Sequence, residues 1–507
     1  MSAQPLLVRA SCLIVVPLCA LLAASGATAG QVPALASAPD SAGAQASAAA
    51  VATVTSTLDD QREVAVTVYN QNLALVRDVR RLDLPTGDVD LRFMDIAAKV
   101  NPATVYVISE TAPRDLAVLE QHYAYDLLNP QKLLDKYVGR DVTLVQLQTE
   151  NSSTHEVQIK ATLLAYNGNV PVWRVGNQIV TGIASDRYVF PDLPANLYSK
   201  PTLIWRLANR HAGAQRVEAS YLTGDMSWSA DYVLTLAGTE KTAGLNGWVT
   251  VSNNSGTPFR NAQLQLVAGA VNVIQPPRPL NERVEAMARA QIEVQPQFVQ
   301  ENISEYHLYS LDRPTTVANS ESKQISLLEA SSFPIEKHYE VNGQTYYYQN
   351  AIAPGQPAKD PVEVHFKFRN SQANSLGIPL PAGTVRVYQG DSKGRLQFVG
   401  EDHIDHTPID ELLNLHIGNA FDIVEERKQT DFQKIDRRVT ESAFEITLRN
   451  HKSDPVTVEV NEPLGGDWTM LDSNFKYEKT SATSGRFTVP VPANGESVLK
   501  YRVRVRW

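Results

Sequence analysis

The sequence predicts a mostly β, multidomain protein, because strand and turn patterns recur along its length. An apolar residue at alternate positions marks a strand with one buried face. Asparagine suits the end of such a strand, since it tolerates left-handed backbone and bonds locally. Five alternating runs end in this way: Val66-x-Val68-x-Asn70, Trp205-x-Leu207-x-Asn209, Val249-x-Val251-x-Asn253, Phe366-x-Phe368-x-Asn370 and Ile446-x-Leu448-x-Asn450.

Residues 1–29 are predicted to be a signal peptide. Arg9 precedes an apolar run over residues 12–22, and small residues end at Ala29, so we expect cleavage before Gly30. The run is shorter than the roughly 20 residues of a spanning helix and contains a proline, which argues against a membrane anchor. The residues before Cys19 are not small, which argues against a lipoprotein. We therefore expect an exported protein, in the periplasm or at the cell surface, with no transmembrane segment in the mature chain.

Composition restricts the chemistry of the mature chain. Both cysteines, Cys12 and Cys19, lie in the predicted signal peptide, so disulfides, zinc-thiolate sites and thiol nucleophiles are excluded. Removing 29 of 507 residues leaves 478, enough for about three domains. The formal charge of -9 has no basic stripe, so nucleic acid is not an expected partner. No cofactor is predicted.

Changes in composition and pattern predict the domain organisation. An Ala/Ser-rich tether should cover 30–60, because it buries too little to offset its ordering entropy. An N-terminal β domain over 61–211 contains a helix that begins at Asn129, and closely spaced hairpin strands predict a small barrel there. The remaining expectations are a central β-sandwich over 212–440 with a helical insertion at 275–300, and an immunoglobulin-like sandwich over 441–507.

Segments along most of the chain carry motifs of one family. They are Val66 to Asn70, Phe190 to Pro194, Ser227 to Tyr232, Gly247 to Gly256, Leu264 to Gly269, Leu448 to Lys452, Glu462 to Leu464, Asp467-Trp468 and Tyr501 to Val505. These segments resemble a bacterial family called domain of unknown function 4139, whose relatives include proteins labelled mucoidy inhibitors. The resemblance covers essentially the whole mature chain. It implies an exported, mostly β protein with a link to envelope polysaccharide, and it implies no activity.

One cluster of metal-ligand residue types is present, at Asp402, His403, Asp405 and His406. Two histidines three apart with flanking carboxylates offer nitrogen and oxygen ligands for a divalent metal. The alternative is a polar turn before Pro408 in which the acidic residues bond backbone amides. The sequence favours the turn, since no second metal motif supports the histidine pair.

Aromatic residues offer a second kind of site, because they stack on the apolar faces of sugars. In a sandwich, most tryptophans at alternating positions fill the core, so Trp173, Trp205, Trp228, Trp248 and Trp468 are expected inside. The run Tyr346, Tyr347 and Tyr348 is the better surface candidate, because consecutive strand residues cannot all point inward.

Other chemistry finds little support in the sequence. No nucleophile elbow, zinc-protease motif or phosphate loop is present. The pair Glu425-Glu426 lies next to Arg427 and predicts a solvated face. The alternating C-terminal run that ends at Trp507 resembles an outer-membrane strand, but a sandwich strand with a basic outer side is favoured.

These observations predict a non-catalytic cell-envelope protein that binds or scaffolds a polysaccharide or a protein partner. The alternative is a metal-dependent hydrolase acting on envelope polymers through His403 and His406.

Overall fold

The computed structural model describes residues 51–124, 128–150, 153–168, 170–194, 197–269, 298–303, 305–352 and 357–507. The predicted signal peptide, most of the tether and most of the insertion lie outside these residues. Val51–Trp507 form one compact unit. Within the described part of the chain, no helix has the length and hydrophobicity needed to span a lipid bilayer.

The described residues are mostly β, as predicted. In the first half the strands are β1 (Ala52–Ser56), β2 (Gln61–Tyr69), β3 (Leu73–Asp83), β4 (Gly87–Met94), β5 (Tyr106–Ser109), β6 (Leu116–Ala124), β7 (Asp141–Glu150), β8 (Ser153–Asn167), β9 (Val170–Val175), β10 (Gln178–Thr181), β11 (Arg187–Val189), β12 (Thr202–Asn209), β13 (Ala214–Gly224), β14 (Met226–Leu236), β15 (Thr242–Asn253) and β16 (Phe259–Ala268).

In the second half they are β17 (Phe298–Ile303), β18 (Tyr306–Leu311), β19 (Thr315–Val317), β20 (Glu321–Pro334), β21 (Glu336–Asn342), β22 (Glu363–Arg369), β23 (Gly383–Gly390), β24 (Leu396–Ile404), β25 (Leu412–Asn419), β26 (Ile423–Lys434), β27 (Val439–Asn450), β28 (Val456–Pro463), β29 (Asp467–Ser473), β30 (Tyr477–Lys479), β31 (Ser484–Val491) and β32 (Gly495–Arg506). Helix α1 (Pro130–Lys136) begins after the predicted N-cap Asn129, whose side chain accepts from the backbone N–H of Lys132. Four short 3-10 helices cover Leu58–Asp60, Pro102–Thr104, Thr345–Tyr348 and Gln372–Asn374.

The strands form six sheets, which we label A to F. Their strand orders are β1-β4-β12-β6 (A), β17-β18-β16-β2-β3-β13-β5 with β19 beside β16 (B), β10-β9-β8-β7-β11 (C), β20-β15-β14-β23-β24 (D), β25-β22-β21-β28-β31-β30 (E) and β26-β27-β32-β29 (F).

Strand pairing crosses the predicted domain boundaries. β13 and β16 follow residue 212 but pair with β3 and β2, which belong to the predicted N-terminal domain. β28 pairs in parallel with β21 across the boundary at 440 and 441. The sheets therefore do not separate at these boundaries, because hydrogen-bonded partners from distant parts of the chain complete them.

The ends of the predicted tether and insertion are strands instead. β1 pairs in parallel with β4, and Thr57 forms a capping box with the following turn. The last residues of the predicted insertion belong to β17, which pairs with β18. In both places pairing to a neighbouring strand overrides a weak local pattern.

The predicted small barrel is wrong, because none of the sheets in the described ranges closes on itself. Sheet C is open, with β10 paired to β9 and β11 paired to β7 at its two edges. Tyr137 at the end of α1 and Trp173 of β9 share the buried cluster on this sheet. The Gly-Asn turn, in which Gly176 has a positive φ of 59°, joins β9 and β10 as a hairpin. A hairpin does not require the sheet to close into a barrel.

Sheets E and F pack face to face around a second core, so the C-terminal part is a β-sandwich whose strands begin well before residue 441. On β32, Leu499, Tyr501, Val503 and Val505 are buried, whereas Lys500 and Arg504 are exposed. This alternation confirms the predicted sandwich strand with a basic outer side.

The asparagines that end the predicted strands act through their side chains. Asn209, Asn253, Asn370 and Asn450 are buried, and each donates from Nδ2 to at least two loop carbonyls. None of them has the positive φ that the sequence allowed. Each asparagine therefore fixes a loop to a strand end by satisfying buried carbonyls.

We expect Asn253→Ala to lower the free energy of unfolding by about 3 kcal/mol. Asn253 Nδ2 donates to the carbonyls of Thr257, Val317 and Ala318, and buried groups left unpaired cost about 1 to 3 kcal/mol each. Denaturant unfolding measures the change. Asn70→Ala is the control, because Asn70 makes one long hydrogen bond of 3.5 Å, and an equal loss in both variants would contradict the explanation.

Candidate functional site

The outward surface of sheet D holds aromatic and charged side chains side by side. Cα pairing aligns Trp248 of β15, Asp231 of β14, Thr384 of β23 and His403 of β24 in one row across the sheet. Paired residues of neighbouring strands share a face, and the residues on either side of Trp248, Asp231 and Thr384 along their strands are buried. We call this surface the outer face of sheet D.

An ion triad lies at the centre of this face. Arg386 Nη1 is 2.9 Å from Asp231 Oδ1, and its Nε is 3.3 Å from Glu401 Oε2. The three side chains come from β14, β23 and β24, and Glu401 is 53% exposed. The triad orders one cation between two carboxylates at a solvent-accessible surface.

Aromatic rings lie on two sides of the triad. Tyr388 and Phe398 form an edge-to-face pair with ring centres 5.7 Å apart, and Phe398 is 56% exposed. Trp248 is half-buried on the other side, next to Asp231. Trp173, Trp205, Trp228 and Trp468 are buried in cores as predicted, so Trp248 is the exception among these five.

A groove of about 410 Å³ opens beside the aromatic pair, at the end of sheet D. It is lined by residues that include Thr235, Asn246, Glu329 and Leu396. Asn246 and Thr235 are two and four residues from the aligned row, on the outward side of their strands. The face therefore combines flat aromatic surface, hydrogen-bonding groups and a groove, which is the chemistry that recognises sugars.

The candidate metal ligands Asp402, His403, Asp405 and His406 are not gathered around a common point. Asp402 and His403 are consecutive in β24 and point to opposite faces; Asp402 accepts from the backbone N–H groups of His403 and His416. His406 Nδ1 accepts a hydrogen bond from the backbone N–H of Ala382. Burial lowers the pKa of His406, and this effect outweighs the negative charge of Asp405, which raises it. Among the residues that the structure describes, no three His, Asp or Glu side chains are arranged to hold a metal ion.

The tyrosine run is not a surface strand. Tyr346, Tyr347 and Tyr348 form a 3-10 turn, in which Tyr346 is 57% exposed but Tyr347 and Tyr348 are buried. The predicted surface position is therefore wrong for Tyr347 and Tyr348. A turn of this kind lets consecutive side chains enter the core, which an extended strand does not.

Tyr347 packs against a buried arginine between sheets E and F, and Tyr348 bonds one of the carboxylates around it. Arg427 Nη1 is 2.8 Å from Glu462 Oε1, and its Nε is 3.2 Å from Asp360 and 3.4 Å from Glu425. Tyr347 Oη donates to Asp360 at 2.9 Å, and Tyr348 donates to Glu462. We call this group the arginine cluster: Arg427, Glu425, Glu462, Asp360, Tyr347, Tyr348 and Tyr501.

Burial shapes the electrostatics of the arginine cluster. Burial opposes the charge of Arg427, but Glu462 and its neighbours outweigh this effect, so the pKa of the guanidinium lies well above its ordinary value. Burial raises the pKa of Glu425 to about 7, although Arg427 lowers it. The predicted solvated face is therefore wrong for Glu425 and Arg427, whose side chains are fully buried.

Strand parity, meaning the odd or even position that decides which face of the sheet a side chain is on, would have located Trp248 and the arginine cluster. In β15, Trp248 lies between buried positions Gly247 and Val249 and shares the parity of Asn246 and Thr250. In β26, Glu425 and Arg427 share the parity of apolar Ile423, whereas Glu426 lies on the other side. Parity separates the faces even where residue type suggests the opposite.

Comparison with known proteins places the chain in a family. Residues 217–507 match the model described as Domain of unknown function (DUF4139), which is more than half of the chain. No curated protein matches the chain. The match spans sheet D, the arginine cluster and the whole C-terminal sandwich, and the chain belongs to this family of domains of unknown function.

Proposed function

We propose that the protein is an exported, non-catalytic component of the cell envelope that binds polysaccharide on the outer face of sheet D. The observation that supports this proposal is the outward-facing arrangement of Trp248, the Asp231–Arg386–Glu401 triad and the Tyr388–Phe398 pair. Aromatic rings stack on the apolar faces of sugars. The carboxylates can accept hydrogen bonds from sugar hydroxyl groups, and the guanidinium can donate hydrogen bonds to them.

Export is the part of the proposal that rests on the sequence. Arg9, the apolar run over residues 12–22 and the small residues ending at Ala29 support a secretory signal. Intact-mass measurement of protein from the envelope fraction tests this part. A mature chain that begins at Gly30 supports it, and a retained Met1 to Ala29 segment contradicts it.

Binding is tested with the mature protein and immobilised envelope polysaccharide. We expect Trp248→Ala and Phe398→Ala each to weaken binding about ten-fold, since an aromatic contact of about 1.4 kcal/mol corresponds to that factor. Melting temperature is measured in parallel to show that the variants are folded.

Phe421→Ala is the matched control, because Phe421 is 95% exposed and lies outside sheet D, in the segment between β25 and β26. It should bind as the unsubstituted protein does. Binding that survives loss of both aromatics on the outer face of sheet D, or that is lost equally in the control, would remove the basis of the proposal. Capture of a protein instead of polysaccharide, abolished by the same variants, would assign the face to a protein partner.

A further inference from the structure

We infer that the ligand of the outer face of sheet D is an uncharged polysaccharide that lies diagonally across the strands from Trp248 to the Tyr388–Phe398 pair. This inference rests on the proposed function and adds the length and the charge of the ligand. Each property follows from a separate observation.

The separation of the aromatic residues determines the length. Trp248 pairs with Asp231 in β14, and Tyr388 pairs with Thr235, four residues farther along the same strand. Four residues of strand cover about 13 Å, and β15 and β23 are two strand spacings, about 10 Å, apart. The aromatic residues are therefore about 16 Å apart along a diagonal, which a single sugar cannot span but a polymer can.

The charges on the face determine the class of polymer. The outward positions of β14, β15, β23 and β24 hold two carboxylates, Asp231 and Glu401, one guanidinium, Arg386, and the imidazole of His403. Glu329 adds a carboxylate to the lining of the groove. A polymer with a carboxylate on each sugar would meet this excess negative charge on the part of the diagonal between Trp248 and Arg386. Like charges brought together in this way oppose binding.

The same carboxylates suit the hydroxyl groups of neutral sugars. Arg386 contacts one oxygen of each carboxylate and holds both side chains in place. The second oxygens are hydrogen-bond acceptors for sugar hydroxyls, and a hydrogen bond to a charged acceptor is stronger than one between neutral groups. An ordered ion triad thus recognises uncharged donors without needing a charged ligand.

The test uses envelope polysaccharide that is partly hydrolysed and separated on an anion exchanger into an uncharged and an acidic fraction, each sorted by chain length. The mature protein is titrated with every fraction by calorimetry. We expect the uncharged fraction to bind, with an affinity that rises with chain length to a plateau and that changes less than about two-fold between low and high salt, since screening affects only charged ligands.

Charge reversal at the triad provides the decisive variant. Glu401→Lys should increase affinity for the acidic fraction, whereas Glu426→Lys, at a solvent-facing position of β26 outside sheet D, should not.

Binding confined to the acidic fraction but lost in Trp248→Ala would overturn this inference and leave the proposed function intact. Binding to neither fraction, or binding that is insensitive to Trp248→Ala and Phe398→Ala, would overturn both. Full affinity for single sugars would contradict the diagonal arrangement.

Discussion

Arg427→Met should lower the free energy of unfolding by about 3 to 5 kcal/mol, because it leaves buried carboxylates without their cation. The side chains of Arg427, Glu425 and Glu462 are fully buried, and that of Asp360 is 10% exposed. Methionine occupies the space of the aliphatic part of the arginine side chain but offers no donor to any of the three acids. Most of the loss therefore reflects uncompensated charge.

Arg449→Met is the matched control for this prediction. Arg449 lies on β27 and pairs with Glu426 at 2.9 Å on the solvent side of sheet F, where both side chains are about one-third exposed. An exposed pair is worth between about 0 and 1 kcal/mol. Denaturant unfolding of the mature protein measures both variants, and similar losses in the two would show that burial of the arginine cluster has no special weight.

A second substitution keeps the prediction testable if Arg427→Met does not fold. Glu462→Gln retains the shape of the side chain and an acceptor, but removes the charge that faces Arg427 Nη1 at 2.8 Å. It should also be destabilising, since Arg427 would then depend on Asp360 and Glu425 for its negative partners. Glu425 is a weak partner, because burial disfavours its charged form. A stability equal to that of the unsubstituted protein would show that Glu462 is not the main partner of the guanidinium.

Local pattern predicted individual strands well, and the reason is physical. The runs that end at Asn209, Asn253 and Asn450 are strands that terminate at those residues, because alternation and burial act over a few neighbours. Which strands pair is decided by contacts between distant parts of the chain. The parallel pairs β2 with β16 and β21 with β28 leave no local trace, so the predicted domain boundaries crossed intact sheets.

The candidate site was predicted only in part for a related reason. Residue type alone suggested that Glu425 and Arg427 are solvated and that tryptophans are buried, and both generalisations fail where parity says otherwise. Trp248 is on the polar side of β15, and Arg427 is on the apolar side of β26. The triad required more than parity. Arg386 and Glu401 are paired in the antiparallel strands β23 and β24, but Asp231 joins them only through the parallel pairing of β14 with β23.

The stability of the mature protein should fall as pH rises from about 4.5 to about 7, through the titration of Glu425. Burial raises its folded-state pKa from 4.5 to about 7, so the folded state binds a proton that the unfolded state has already released in this range. Stability therefore decreases wherever the folded state binds more protons than the unfolded state. The contribution is favourable below pH 4.5 and is lost once Glu425 ionises above pH 7.

The magnitude follows from the same two values. The difference between 4.5 and about 7 corresponds to about 3 kcal/mol. Three carboxyl groups surround one guanidinium, and Glu425 Oε1 has no hydrogen-bond partner among the described residues. The arginine cluster therefore favours the neutral form of one of its acids, Glu425.

Glu425→Gln should flatten this dependence. Glutamine keeps an acceptor that the backbone N–H of Asp360 can use, as Glu425 Oε2 does at 2.8 Å, but it has no proton to lose. The unfolding free energies of the variant and of the unsubstituted protein are measured from pH 4.5 to 8. As pH rises, the variant should become more stable relative to the unsubstituted protein. Glu426→Gln is the control, since Arg449 holds the pKa of the exposed Glu426 below its ordinary value and outside this range. An unchanged slope in Glu425→Gln would mean that Glu425 is ionised throughout, and that Arg427 fully compensates three buried carboxylates.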